Sequence, residues 1–406
     1  MKAPALVRRD HGRFAALLAA AATALLVACS PSGPQTFEKA AADATDNLVA
    51  QTGKLPSFLA RIESTLSTPD ANSPRRSIVL DPMLDMITGQ QTETTLLFER
   101  RVTQRMAAKF PQFEFLPFQA ASLTKAQYLL TGTMTRVTTE AKPTVRLSLA
   151  LTDIRSGLVV AQASALAREE SLDATPSRYY KDSPVLIKDK VVEGYARTTS
   201  TPPGQRADPY YMERIGVGTV ITEATTLYNA ERYQDALGQY QTALATPQGQ
   251  QLRAESGLYL TNMKLGHVAE AEQSFGRIVA LGIAYNELGV KFLFNPGSVE
   301  FWSDPKISGA YQMWLRQIAR GVAAAGSCMK VVGHTSKSGP APINEALSLK
   351  RATTIRQRLV NEQPALATRT QVEGMGFRQN IVGSGTDNGF DVLDRRVEFK
   401  IVPCPR

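Results

Sequence analysis

Residues 331–352 leave a folded chain few options. Val331 and Val332 close a short apolar run at Gly333, a polar loop rich in Ser, Gly and Pro follows, and a helical pattern then begins. A brief apolar run stopped by Gly reads as a buried strand, and apolar residues three and four apart read as one face of a helix. Asn344, one step before Glu345, is expected to be the N-cap with an acid in the first turn. Ala346, Leu347, Leu349, Ala352, Ile355 and Leu359 are expected to form the apolar face, with Arg351, Arg356 and Arg358 on the polar side. A strand, loop and helix of this kind belong to a layered α/β unit.

This stretch resembles the peptidoglycan-binding domain of OmpA-like proteins. That pattern is Gly-His-Thr-Asp, a gap, then Asn-x-x-Leu-Ser-x-x-Arg-Ala. Gly333, His334 and Thr335 match, followed by Ser336, and Asn344, Leu347, Ser348, Arg351 and Ala352 fall in register. Asp394-Arg395-Arg396-Val397-Glu398 stands where the family has Asn-Arg-Arg-Val-Glu. The resemblance implies an α/β sandwich over residues 286–406 and a ligand, the diaminopimelate of the wall peptide, met by Ser336, Asn344, Arg351 and Arg396. Arg351 would grip its carboxylate. Ser336 replaces the family's Asp, which takes the ammonium group; Asp387 or Asp391 could supply that anion.

At the N-terminus, Lys2, Arg8, Arg9 and Arg13 precede an apolar run over 14–28. This is a basic region and a secretory hydrophobic core, too short for a comfortable membrane span. Leu26-Val27-Ala28-Cys29-Ser30 resembles a bacterial lipoprotein signal, which implies cleavage after residue 28, lipidation of Cys29 and, from Ser30, the outer membrane facing the periplasm. The removed segment holds +3 of the formal +9, leaving +6. That charge is spread along the chain, so it does not argue for nucleic acid, and it suits an anionic wall or membrane surface. Cys328 and Cys404 then remain, either as a disulfide or as two free buried thiols. An oxidising compartment favours the disulfide.

Residues 29–76 read as a tether with amphipathic helices, the first showing Phe37, Ala40, Ala41, Ala44, Leu48 and Val49 on one face and a second over 57–66. Residues 77–197 alternate a strand, a helix over 91–109, a short aromatic strand, a further helix and three strands. In residues 145–154, Val145, Leu147, Leu149 and Leu151 alternate with Arg146, Ser148, Ala150 and Thr152, the pattern of a half-buried strand. The order resembles the α/β domain of periplasmic lipoproteins such as CsgG and LpoB, which bind proteins or assemble. Residues 198–215, with Pro202-Pro203-Gly204, read as a linker. Over 216–285, Ala236, Tyr240 and Ala243 recur 35 residues on as Ala271, Phe275 and Ile278. That is near the ~34-residue period of tetratricopeptide repeats, which this segment resembles and which would recruit envelope proteins. The expected fold class is therefore multidomain α+β: an N-terminal α/β domain, a central helical-repeat segment and the C-terminal sandwich.

No catalytic constellation emerges. His11 leaves with the signal, His267 lies in a turn between helices, and His334 reads as a brace for its loop. Gly-x-Ser-x-Gly, His-Glu-x-x-His, phosphate-cradling loops and zinc spacings are absent from the sequence. No cofactor is expected, and the chain reads as a binding protein rather than an enzyme.

Overall fold

The computed structural model describes residues 33–52, 75–137, 144–168, 172–186, 188–286, 288–381, 385, 391 and 394–404. The expected signal peptide with Cys29, and the helix expected over 57–66, lie outside them.

The N-terminal module is built on β1 (Arg76–Leu80), which pairs in parallel with β3 (Phe113–Leu116) and β4 (Tyr128–Val137). Strands β5 (Thr144–Asp153) and β6 (Leu158–Arg168) extend the sheet antiparallel in the order β3-β1-β4-β5-β6, and the short β2 (Leu84–Asp85) pairs with β4. Helix α1 (Phe37–Thr52) buries the six residues its periodicity predicted, and its alanines allow close contact with β5 and β6. Helix α2 (Glu93–Lys109) makes the β1 to β3 crossover. It opens in a capping box in which the Thr92 hydroxyl accepts from Thr95 N and the Thr95 hydroxyl accepts from Thr92 N. Phe98, Val102 and Met106 reach the core from it.

Two expectations change here. Strand β5 is buried on both faces, with Ala150 and Thr152 fully enclosed. Helix α3 (Lys190–Ser200) covers the side that alternation had assigned to solvent. Residues 198–215 are strapped down rather than free: Gly204 N and Ala207 N donate to the carbonyls of Val159 and Gly157, and the Tyr211 hydroxyl donates to Asp81 at 2.6 Å. Gly132 marks where β1 has ended and β2 has not begun. The Tyr195 hydroxyl of α3 fills that gap, bonding Gly132 N and O at 2.9 Å each, and a Cβ at Gly132 would stand 2.7 Å from Met83 Sδ.

Four helices follow: α4 (Ile215–Asn229), α5 (Tyr233–Leu244), α6 (Leu252–Leu265) and α7 (Val268–Ala284). They pack as successive neighbours, and Ala236, Tyr240, Ala243, Ala271, Phe275 and Ile278 are all buried between them. His267 sits exposed at the start of α7, as its turn position implied.

The C-terminal module has the sheet order β7-β10-β8-β9, from β7 (Leu288–Val290), β8 (Cys328–Gly333), β9 (Thr370–Gly374) and β10 (Val397–Val402). Strand β10 runs antiparallel to β7 and β8, and β8 runs parallel to β9. Helices α8 (Tyr311–Ala324) and α9 (Ala341–Glu362) pack against it. The helical region shares a core with this module: Trp314 on α8 stacks on Phe275 at 5.4 Å and donates to the Tyr259 hydroxyl at 2.8 Å, while Arg316 makes a bidentate contact with Glu272. Among the described residues no helix is long and apolar enough to cross a membrane.

Cys328 and Cys404 are bridged, across a sequence separation of 76 residues. Closing a loop of that length stabilises by about 4–5 kcal/mol in the chain-entropy picture. Thiol labelling of the denatured, unreduced protein should find neither sulfur, and reduction should lower the unfolding midpoint of the C-terminal module. Stoichiometric labelling of both thiols without reductant would contradict the pairing.

Candidate ligand site

The site forms where β8 ends. A Cβ at Gly333 would lie 2.0 Å from Ser348 O, so only glycine lets α9 pass this close. The loop after it is tied on several sides. His334 N donates to Arg396 O at 2.9 Å and Thr335 N to Gly376 O at 2.9 Å. The Ser348 hydroxyl accepts from Gly376 N and donates to Glu345 O.

Helix α9 corrects three expectations. It begins at Ala341, after Pro340, so Asn344 is not an N-cap. Its carboxamide instead points back, donating to Ser338 O at 2.7 Å and Pro340 O at 3.2 Å, which ties the loop to the helix. Ala346 and Leu349 are exposed. The buried face keeps helical spacing but runs Asn344, Ser348, Arg351, Ala352, Ile355, Leu359. Its first half meets polar loops and only its second half meets the apolar core. Arg351 is accordingly not on the polar side: it is 1 % exposed, and Nε and Nη2 donate to Ser298 O at 3.0 Å and Asn295 O at 3.2 Å. Its guanidinium also lies 4.9 Å from the centre of the Phe294 ring.

Ser336 is buried, with its hydroxyl 3.3 Å from that of Ser338. Arg396 lies beneath the loop. Its Nε donates to Glu398 at 2.7 Å and its Nη2 to Gln379 O at 3.1 Å. On the other side of Glu398, His334 is fully enclosed with Nε2 3.4 Å from the second carboxylate oxygen. Burial pushes the His334 pKa down, so the imidazole is neutral near pH 7. Burial opposes ionisation of Glu398 as well, but the nearby His334 imidazole and the permanent charge of Arg396 outweigh it and hold its pKa at about 2. Asp391 and Asp394 are buried, Asp394 accepting from Ile381 N at 2.6 Å; Asp387 lies outside the described residues.

The structure thus gathers Ser336, Asn344 and Arg396 around one loop and sets Arg351 two turns further along the same buried helix face as Asn344. Sequence reasoning missed three contributors. Glu398 stood in the matched motif without a role. Asn295 and Ser298 act through backbone carbonyls, which leave no trace in residue type. Among the described residues no His, Cys, Asp and Glu group could hold a metal ion. The groups gathered here are an oriented guanidinium, hydroxyls and the Asn344 carboxamide.

A titration test follows. Glu398 takes up protons more readily in the unfolded chain, near pH 4.5, than in the folded one, near 2. Its stabilisation is present above about pH 4.5 and is lost as pH falls toward 2, on the order of 3 kcal/mol. His334, also depressed, adds a loss in the same direction below its ordinary value of 6.5. Glu398→Gln should flatten the acid limb of a denaturation profile; an unchanged limb would show that the cluster is not the acid-sensitive element.

A model of the OmpA family matches residues 293–391. Outer membrane protein Omp38 of Acinetobacter baumannii is 38% identical over 68 residues, which is 17% of this chain and 19% of that protein, so the chain spans about a fifth of the length of the curated relative it matches. Among solved structures, the peptidoglycan-associated lipoprotein from Burkholderia pseudomallei is 21% identical with a TM-score of 0.23, covering 27% of this chain and 88% of that one. The cell wall anchor of the T6SS from Pseudomonas aeruginosa is 20% identical with a TM-score of 0.25, covering 32% and 96%. The periplasmic domain of Helicobacter pylori MotB is 15% identical with a TM-score of 0.23, covering 29% and 78%. The C-terminal part of the chain carries an OmpA-like domain.

Proposed function

We propose that this protein tethers a lipid-anchored envelope chain to peptidoglycan, with Cys29 carrying the lipid in the outer membrane, the C-terminal domain binding the diaminopimelate of the wall peptide, and the modules between them recruiting envelope proteins. The observation that carries the reading is the posture of Arg351. A guanidinium is planar and matches a carboxylate in two parallel bonds, and here two backbone carbonyls fix its plane on the helix face that also carries Asn344 and Ser348. The OmpA family match and the outer-membrane relative Omp38 support an envelope setting.

A second reading is favoured by Ser336 itself. The ligand end is a zwitterion, and a hydroxyl brings no charge to its ammonium group. In that reading the domain is an interaction scaffold with weak or lost wall binding. Retention of the full chain on purified sacculi separates the two. Under the tether reading wild type is retained, and Ser336→Asp tightens binding by the ~1.5–3 kcal/mol of a charge-assisted bond, roughly ten- to a hundredfold. Under the scaffold reading wild type is not retained, and Ser336→Asp, placing a carboxylate at a buried position with no ammonium to meet it, only lowers the unfolding midpoint.

A further inference from the structure

The loop that carries Ser336 is held from below by groups that do not themselves reach outward. Arg396 stands just before β10 and Glu398 is the second residue of that strand; the two side chains meet, Arg396 Nε donating to the Glu398 carboxylate at 2.7 Å. His334 emerges from the end of β8, and its backbone N–H is spent on Arg396 O. Its imidazole meets Glu398 from one side while the Arg396 guanidinium meets the same carboxylate from the other. Arg396 Nη2 reaches on to Gln379 O, in the segment whose Gly376 carbonyl receives Thr335 N. One carboxylate thus joins β8, β10 and the 375–381 loop, the three pieces that determine where Thr335 and Ser336 stand.

A buried charged cluster is a costly way to hold a fold. An apolar replacement of similar volume is often neutral or stabilising, and the best-attested use of such clusters is to specify one arrangement. Glu398 is 21 % exposed at its side chain, against 5 % for Arg396 and none for His334, so the cluster is inward-facing. The groups facing Glu398 are His334, just after β8, and Arg396, just before β10; Lys400, two residues further along β10, acts on His334, and opposite Glu398 β7 and β8 present Gly289 and Val332, which carry no charge.

We propose that Glu398 is a positioning residue for the candidate wall site: through His334 and Arg396 it fixes the loop that carries Ser336, and so sets ligand affinity without touching the ligand. This rests on the wall-binding reading above. It also assigns the two matched motifs a joint task, since Gly333-His334-Thr335 and Arg396-Val397-Glu398 meet in one cluster.

The test uses the full chain, purified sacculi and two variants. Glu398→Gln keeps the shape and removes the charge. His334→Gln removes one arm and leaves the Arg396–Glu398 pair intact. Each is expected to reduce retention about tenfold, His334→Gln with little change in the unfolding midpoint. The decisive comparison is Ser336→Asp in both backgrounds. A mispositioned loop cannot present the new carboxylate, so its gain should fall from tenfold or more in wild type to under about threefold when combined with either variant. If Glu398→Gln does not fold, His334→Gln decides alone. Undiminished retention by the folded variants, or a full Ser336→Asp gain in their presence, overturns the positioning role. Failure of wild type and of Ser336→Asp alone to bind sacculi would instead overturn the wall-binding reading on which it rests.

Discussion

Arg351→Ala should abolish retention on sacculi and, at the same time, destabilise the C-terminal domain. The second effect follows from burial. Arg351 is 1 % exposed and donates to Ser298 O and Asn295 O, so truncation strands both carbonyls and removes the cation over Phe294. Bonds to charged groups contribute ~1.5–3 kcal/mol each, and breaking a buried charged contact by deleting one side costs on the order of 3–5 kcal/mol. Loss of retention by Arg351→Ala alone would therefore confuse binding with folding. Arg351→Lys resolves this. It keeps the charge and most of the packing but offers a compact ammonium in place of the planar fork. The expected result is a folded domain, judged by its thermal transition, with retention down at least tenfold. Retention of Arg351→Lys equal to wild type would mean that the guanidinium serves only the 295–298 loop and that the carboxylate is recognised elsewhere or not at all.

Trp314→Ala should uncouple two parts of the chain. Trp314 belongs to α8 of the C-terminal module, but its ring stacks on Phe275 of α7, lies 4.9 Å from Tyr311, and its Nε1 donates to Tyr259 of α6. Removing a buried indole costs about 3–5 kcal/mol, set by how far the surroundings collapse. The cost falls on the seam that joins the helices of residues 215–284 to the C-terminal sheet. Calorimetry of wild type should show these regions unfolding in one transition. The variant should show two, with proteolysis newly admitted between α7 and β7. A single transition merely shifted down would show that the other seam contacts, chiefly Arg316 and Gln317 on Glu272, suffice for coupling.

Much of the fold was legible in the residues. The apolar stripe of α1 emerged residue for residue, because a helix lying on a sheet has one burial period and alanines report it. The succession of the longer strands and the helix over 93–109 along the N-terminal module followed from runs of β-branched and apolar residues broken by turn signals, whereas the sheet order and the short β2 did not. The pairing of Cys328 with Cys404 was one of two open alternatives, and the structure chose it by setting the start of β8 beside the end of the antiparallel β10, Cys328 opposite Val402.

Other features could not be read locally. Strand β5 alternates as if one face met water, and α3, some forty residues later, covers that face. Residues 198–215 have the composition of a linker, yet their backbone N–H groups are spent on the hairpin at 157–159. In α9 the apolar pattern named a face turned away from the observed one in its first half, since hydrophobicity marks burial only where the neighbour is apolar. Arg351, Asn344 and Ser348 are buried against carbonyls and turns instead.

By itself, the sequence determined many of the elements, though not β2, β7, α8 or β9, together with the OmpA-like motif residues and the candidate ligand groups, because periodicity and side-chain chemistry are properties of residues and their spacing. Only the tertiary structure decided what each group faces: that Arg351 points inward onto Asn295 and Ser298, that Glu398 joins His334 to Arg396, and that Trp314 locks the helical region to the C-terminal sheet. Those partners lie between about 40 and 64 residues apart in the chain. Backbone carbonyls and long-range packing partners carry no signature in residue type, so they exist as information only once the chain has closed on itself.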